Sequence, residues 1–192
     1  YKEEAEKQGV DSYDLINQDV ENVPIGSRRL LYLPYLMGER TPHLNPNCRG
    51  VFFGLSAIHT KADMLRAVME GVSYSLSDCL DILREMQVDV SEMMACGGGG
   101  KSKIWRQMLA DMYGCEVKTI KAQEGPALGG AILAGVGAGI FNDVQSACRQ
   151  FIDQETYCQP EPASKAYYEK GHALYKKLYV QLKDCYEELA QL

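Results

Sequence analysis

Four consecutive glycines, Gly97–Gly100, stand between a short strand-like segment, Glu92–Cys96, and an amphipathic one, Ser102–Tyr113. No other feature limits the fold of this chain as strongly. Backbone without Cβ atoms at a strand-to-helix junction makes a tight turn, and it lets a flat ring or a phosphate come close to main-chain atoms. A helix beginning at Ser102 aims its free N–H groups and positive dipole end at that turn. Ser102 is itself a favourable N-cap. Four glycines are entropically costly to order, so the run is expected to bind a nucleotide rather than serve packing alone.

Two familiar glycine patterns do not fit. Gly100-Lys101-Ser102 matches the end of G-x-x-x-x-G-K-[ST], but Ala95 occupies the first glycine position and no hydrophobic strand ending in Asp follows to hold magnesium. The dinucleotide pattern G-x-G-x-x-G begins at Gly97 and fails at Ser102. Glu116 is also too close to serve as its ribose-binding acid.

Around the glycines the chain alternates strand and helix. Glu92–Cys96, the turn, Ser102–Tyr113, Glu116–Ile120 and Gly125–Gly139 read as strand, turn, helix, strand and a helix of small residues, which is an α/β order. Upstream, Lys2–Gln8 is charged and helix-prone, Asp11–Asn22 is acidic, and Pro24-Ile25-Gly26 is a turn. Leu30–Leu36 is a strand with Pro34 at its end or edge. Gly38–Gly50 is a long loop broken by Pro42 and Pro46, and Val51–Leu55 is a short strand. The clearest helix spans Lys61–Met86, where Leu65, Val68, Met69, Val72, Leu76, Cys79, Leu80, Leu83 and Met86 recur every three or four residues. Arg66 and Glu70 stand at i,i+4 on it and are expected to pair weakly. A final helix from about Ala163 to Leu189 turns Tyr167, Gly171, Leu174, Leu178, Leu182, Cys185 and Leu189 inward, and docks on its own domain in preference to a partner subunit. The strands are few for so many helices, so further strands are expected upstream of Tyr1.

Composition narrows the function. The net charge of −6 is spread along the chain, which argues against a nucleic-acid binder. The longest apolar stretch, Pro126–Phe141, is shorter than the roughly 20 residues of a membrane span. The opening YKEEAEKQG is neither a signal nor a transit peptide. Seven widely spaced cysteines contain no C-x-x-C or Cys/His metal pattern, and read as reduced thiols of a cytoplasmic protein.

Longer motifs then identify a relationship. Cys96–Gly114 (CGGGGKSKIWRQMLADMYG) resembles the adenosine-binding segment of the FGGY family of carbohydrate kinases, and Gly125–Ala134 (GPALGGAILA) resembles the helix that follows it there. Gly50, Phe52, Gly54 and Leu55, then Asp63, Met64, Ala67, Val68, Met69 and Glu70, match the family's C-terminal signature. Within the family, Leu33–Pro42 with His43 next is most similar to xylulose kinases. The resemblance covers nearly the whole chain and is weakest before Pro24.

It implies an α/β, ribonuclease H-like fold of the actin and hexokinase type, of which this chain is the C-terminal domain without its first strands. Residues 1–24 would be a helical or linker segment, and residues 25–192 the nucleotide-binding domain. The implied reaction transfers the γ-phosphate of ATP, with Mg²⁺ held mainly by the nucleotide and the other domain, to D-xylulose. Glycerol, gluconate and ribulose are the alternatives. The implied partners are ATP/ADP and a small sugar, with a homodimer left open. The catalytic base belongs to the family's first domain, so no catalytic residue is expected here, and the isolated chain is expected to be inactive. The resemblance lays Gly98 and Gly99 against adenine and ribose, uses Gly97 and Gly100 to shape the turn, and puts Lys103 near the base. Family members often have alanine where Gly100 stands, so that position is expected to need only a small side chain. Arg40 is expected to pair with a carboxylate that fixes its loop, in preference to approaching the phosphates when the domains close; His43 is expected to be a surface or hydrogen-bonded histidine, and Asp63 to cap the long helix. Gly129, Gly130 and Gly135 are expected to allow close helix packing.

Overall fold

The computed structural model describes residues 1–120, 125–152 and 154–192. Two short helices open the chain, α1 (Lys2–Gln8) and α2 (Ser12–Glu21), the second capped by the Asp11 carboxylate, which accepts from the Tyr13 N–H at 2.8 Å. Strands β1 (Leu31–Leu33) and β2 (Val51–Phe53) pair antiparallel, Leu31 opposite Phe53 and Leu33 opposite Val51. Pro34 falls just past the end of β1, where its missing N–H is harmless. Helix α3 (Lys61–Glu85) follows, then β3 (Glu92–Met94), a glycine helix α4 (Gly97–Lys101), α5 (Lys103–Tyr113) and β4 (Glu116–Ile120). Helices α6 (Gly125–Gly137) and α7 (Val144–Phe151), strand β5 (Gln154–Cys158) and the long α8 (Pro162–Leu189) complete the chain. The second sheet has the order β3-β4-β5, with β3 and β4 parallel and β4 and β5 antiparallel.

Helix α3 is the spine, packed by β1, α2 and α5. Its start is fixed by a reciprocal cap: Thr60 Oγ1 accepts from the Asp63 N–H, while Asp63 accepts from the Thr60 N–H at 2.8 Å. Its buried face differs from the aliphatic stripe expected from the sequence. Of the stripe, Met69 and Leu80 are buried, but Ala67, Gly71, Ser73, Tyr74, Ser77 and Asp78 are buried with them, whereas Leu76, Leu83 and Met86 are 38–68% exposed. The reason is close approach. A Cβ on Gly71 would lie 2.1 Å from the Tyr32 carbonyl oxygen, so β1 crosses the helix at a spot only glycine allows. Ser73 and Ser77 satisfy their hydroxyls on the carbonyls of Met69 and Ser73, each at 2.8 Å, and so behave as small core residues.

Helix α8 is displaced from expectation by one residue. Tyr168, Tyr175, Leu178, Tyr179 and Tyr186 are buried, while Tyr167, Leu174 and Leu189 are 43–51% exposed and Cys185 is exposed. The helix docks on its own domain, as expected. There it meets Leu33, Tyr35, Cys48 and Tyr74 in a core built mainly of phenol rings. Some of the hydroxyls find partners inside it, as when Tyr175 donates to Tyr35 at 2.9 Å, while the buried Tyr186 hydroxyl has none among the described residues. A second core, under the β3-β4-β5 sheet, joins Leu80, Leu109, Ala110, Tyr113, Cys115, Val117 and Cys158.

The Arg66–Glu70 pair is buried, not a weak surface pair. Both side chains are at most 7% exposed and lie 2.9 Å apart. Glu70 also accepts from the Gly26 N–H (2.9 Å), the Ser27 hydroxyl (2.8 Å) and the Tyr168 hydroxyl (3.0 Å). Arg66 donates onward to the Val23 carbonyl at 2.7 Å. One ion pair thus ties the end of α2, the turn before β1, α3 and α8 together. Helix α7 and strand β5 have no counterpart in the reading of the sequence, and α6 stops at Gly137. Gly135 packs tightly, its virtual Cβ 2.4 Å from Phe141, whereas among the described residues Gly129 and Gly130 face no atom within 4 Å.

Candidate nucleotide-binding site

The glycine run is a single helical turn rather than an open loop. Strand β3 continues its ladder through the Ala95 N–H, which donates to the Lys118 carbonyl at 2.8 Å, and Cys96 is still extended. Gly97 then takes φ +75°, a left-handed conformation that a side chain disfavours, and α4 begins. At Ser102 the backbone opens again (ψ 114°), ending α4 and starting α5 in one residue. The Ser102 hydroxyl accepts from the Trp105 N–H at 3.3 Å and donates to Asn17 of α2 at 2.8 Å, so the junction is held from both sides.

The four glycines have different surroundings. Among the described residues, a Cβ on Gly97 or Gly98 would meet no atom within 4 Å, and both residues are exposed. A Cβ on Gly99 would sit 3.3 Å from the Trp105 ring, and one on Gly100 would sit 2.6 Å from the Ala95 carbonyl oxygen. Gly100 therefore does not accept even alanine without a backbone shift, a stricter requirement than the small side chain expected there. Lys101 and Lys103 are exposed, Lys103 at the first position of α5.

Two supporting residues were not foreseen. Trp105 lies under Gly99 and donates its indole N–H to Ser73 of α3 at 2.9 Å. Arg106, 8% exposed, donates to the Gly100 carbonyl at 2.5 Å and closes the glycine turn from behind. A signal for Arg106 was present: a cation one turn into the helix after a glycine run can reach that run's free carbonyls.

The other expected roles divide. Asp63 caps α3 and pairs with Arg28 at 3.1 Å. Burial by itself would raise its pKa, but the bonds from Thr60 and the Arg28 guanidinium outweigh that and hold it below the usual carboxylate range. Arg40 forms no ion pair among the described residues. The Glu39 carboxylate instead accepts from the Arg40 and Thr41 N–H groups at 2.7 and 3.1 Å and fixes the loop itself. The His43 side chain makes no hydrogen bond among the described residues, although its backbone carbonyl accepts from the Asn45 N–H at 2.8 Å. It stacks on Tyr179, ring centroids 3.5 Å apart, and burial lowers its pKa despite nearby Asp78 and Glu39.

Comparison with known proteins agrees with this architecture. Residues 2–138 match the FGGY family of carbohydrate kinases, C-terminal domain, and the chain belongs to that family. Over 93% of its length it is 38% identical to a xylulose kinase of Staphylococcus epidermidis, of which it spans 36%. A gluconokinase of Bacillus subtilis is 42% identical over 68% of the chain, which covers 26% of that protein. Among solved structures, ligand-bound xylulose kinase from Lactobacillus acidophilus superposes with a TM-score of 0.83 at 33% identity, over 91% of this chain and 35% of that one. The fold is the α/β, actin- and hexokinase-like ATPase fold of these sugar kinases. The chain spans about a third of the length of the xylulose kinases it matches.

Proposed function

We propose that the polypeptide containing this chain is a cytoplasmic sugar kinase that transfers the γ-phosphate of ATP to D-xylulose, and that residues 25–192 are its nucleotide-binding part, with residues 1–24 a helical segment seated on it. The observation that carries the nucleotide assignment is the asymmetry of the glycine turn. Gly97 and Gly98 present bare, exposed backbone with open space where a Cβ would be, while Gly99 and Gly100 are fastened against Trp105 and Ala95. That is a rigid support with an accessible outer surface, suited to a flat ring.

In this reading ATP supplies the transferable phosphoryl group, with Mg²⁺ carried chiefly by the nucleotide. Gly97–Gly100 lie along adenosine, with Gly98 and Gly99 nearest the base and ribose. Arg106 and Trp105 keep the turn from moving when the ring docks. Lys103, exposed at the start of α5, lies near the base. No residue of this chain is assigned to proton transfer. The base that accepts the sugar hydroxyl's proton is placed in the part of the polypeptide corresponding to the remainder of the relatives. The partners are then ATP/ADP and a small sugar, with no role for nucleic acid or membrane. Among the described residues, no helix is long and apolar enough to cross a membrane.

The name carried by the xylulose kinase relatives supports D-xylulose, and the gluconokinase relative makes gluconate the competing substrate. A coupled ADP-release assay on the full-length polypeptide decides between them: D-xylulose is expected to give the highest kcat/KM, and equal or better turnover of gluconate, glycerol or ribulose would overturn that choice. Calorimetry with ADP tests the site. Gly98→Val fits the fold, because nothing occupies the space, and is expected to weaken ADP at least tenfold. Unchanged ADP affinity would place the nucleotide elsewhere.

A further inference from the structure

Helix α4 has no stability of its own. It is five residues long and four of them are glycine, the poorest helix former after proline. Its shape, and with it the accessible outer surface of Gly97 and Gly98, is imposed by what surrounds it. Three contacts come from its own strand–helix unit and from α3. They are Ala95 against Gly100, Arg106 on the Gly100 carbonyl, and Trp105, tied to Ser73, beneath Gly99. A fourth reaches in from α2. Ser102, which ends α4 and starts α5, is 7% exposed, and its hydroxyl has one proton to give. That proton goes to Asn17 Oδ1 at 2.8 Å, which leaves the oxygen's lone pairs for the Trp105 N–H that it caps at 3.3 Å.

We infer that Asn17 is a positioning residue for nucleotide binding, and that α2 braces the glycine turn rather than serving as a linker. The inference rests on the assignment of the nucleotide to Gly97–Gly100. A buried Ser102 hydroxyl without the Asn17 acceptor is left to bond back to a carbonyl of the preceding turn. That takes its lone pairs off the Trp105 N–H and loosens the end of α4 and the start of α5 together. The brace works because α2 is itself fixed. Ile16 and the fully buried Val20 pack with Met69 of α3 and with Ile104, Trp105 and Met108 of α5. Arg66 donates to the Val20 and Val23 carbonyls at 3.4 and 2.7 Å, so the buried Arg66–Glu70 pair anchors the end of α2 to α3. Asn17 stands between Ile16 and Val20 and is half-buried. The turn is thereby tied to α3 twice, directly through Trp105 and Ser73, and indirectly through Ser102, Asn17 and α2. Coupling of this kind is reciprocal: α2 steadies the turn for nucleotide, and nucleotide on the turn steadies α2. Gln18, exposed beside Asn17, has no side-chain bond among the described residues and makes the control.

Two measurements on the full-length polypeptide test the brace, one with nucleotide and one without. Calorimetry with ADP is expected to show affinity lowered about three- to tenfold in Asn17→Ala and unchanged in Gln18→Ala, with KM for ATP raised by more than kcat is lowered. Asn17→Ala should cost nothing further once Ser102 is replaced by alanine, because it acts through that hydroxyl. In nucleotide-free hydrogen exchange, the Gly97–Lys101 amides should exchange faster in Asn17→Ala than in wild type, and Asn17→Asp, which keeps an acceptor, should restore them. In wild type, ADP should slow exchange across Ser12–Glu21. Equal ADP affinity in wild type and Asn17→Ala would overturn the brace. Full additivity of Asn17→Ala and Ser102→Ala would do the same, as would an α2 whose exchange ADP leaves untouched. Failure of wild type to bind ADP is a different result. It refutes the nucleotide site, and the nucleotide-free exchange at Gly97–Lys101 then decides whether Asn17 holds the turn. Should Asn17→Ala not fold, the effect of ADP on α2 exchange in wild type decides the question.

Discussion

Replacing Glu70 with alanine isolates what the buried ion pair contributes. Glu70 accepts four hydrogen bonds, from Gly26, Ser27, Arg66 and Tyr168. Its loss leaves Arg66 partly served, since the Val23 carbonyl and the Tyr168 hydroxyl remain within 2.7 and 3.2 Å. The guanidinium charge, at most 7% exposed, then keeps, among the described residues, only the more distant buried carboxylate of Asp111 as a counter-charge. Removing one partner of such a pair typically costs about 3–5 kcal/mol, and the stranded Gly26 N–H and Ser27 hydroxyl keep the value in the upper part of that range. For a chain of this size each kcal/mol lowers the melting midpoint by about 2–4 °C. Thermal unfolding of Glu70→Ala is therefore expected roughly 8–20 °C below wild type. The double variant Arg66→Met, Glu70→Leu is the companion, because replacing both charges by apolar groups removes the desolvation cost together with the attraction. It should be more stable than Glu70→Ala. A Glu70→Ala protein within about 1 kcal/mol of wild type, or a double variant less stable than either single one, would refute the assignment of this pair as an interdependent buried network.

Other expectations follow from single contacts. Gly100→Ala pushes its Cβ against the Ala95 carbonyl and should cost about 1–3 kcal/mol by denaturant unfolding, whereas Gly98→Ala should be near neutral for stability while weakening ADP; equal stability losses at the two positions would contradict the two-sided turn. Trp105→Phe keeps the ring under Gly99 but loses the bond to Ser73, so a destabilisation of about 1 kcal/mol is expected, leaving the Ser73 hydroxyl its bond to Met69. The depressed pKa of Asp63 stabilises the folded state above the ordinary aspartate value near 4, and that contribution disappears as pH falls through the lower folded value. Acid unfolding of Asp63→Asn should accordingly be shallower below pH ~4 than that of wild type; superimposable acid limbs would remove Asp63 from the account.

The element order around the glycines was legible because each element carries its own signal: a glycine run, an N-cap serine, a proline past β1, a helical period over Lys61–Glu85. Which face each helix buries was less legible. On α3 the sequence advertises leucines and methionines, but the neighbouring strand approaches so closely that Gly71, Ser73 and Ser77 are buried there instead, and Leu76 and Leu83 are left outside. On α8, Tyr167 and Tyr168 are indistinguishable by period, and only the position of Arg66 and Glu70 on another helix decides that Tyr168 turns inward. At the candidate site the glycines and Ser102 could be read directly. Arg106 left a signal as a cation one turn past the glycines, but the different surroundings of the four glycines could not be read, because they depend on where Ala95 and Trp105 lie in three dimensions.

The phenol-rich core gives the protein a built-in optical gauge of its own integrity. Burial raises the pKa values of Tyr35, Tyr74, Tyr168 and Tyr175 far above that of free phenol, and pushes Tyr186 up to about 12. These groups favour the folded state fully below pH ~10, and the advantage drains away as alkali deprotonates the unfolded chain, by about 1.4 kcal/mol per pH unit for each ring. Several such rings unfolding together make the alkaline limit abrupt. Phenolate absorbance from these buried rings should then rise late and cooperatively, timing the opening of the α3–α8 core.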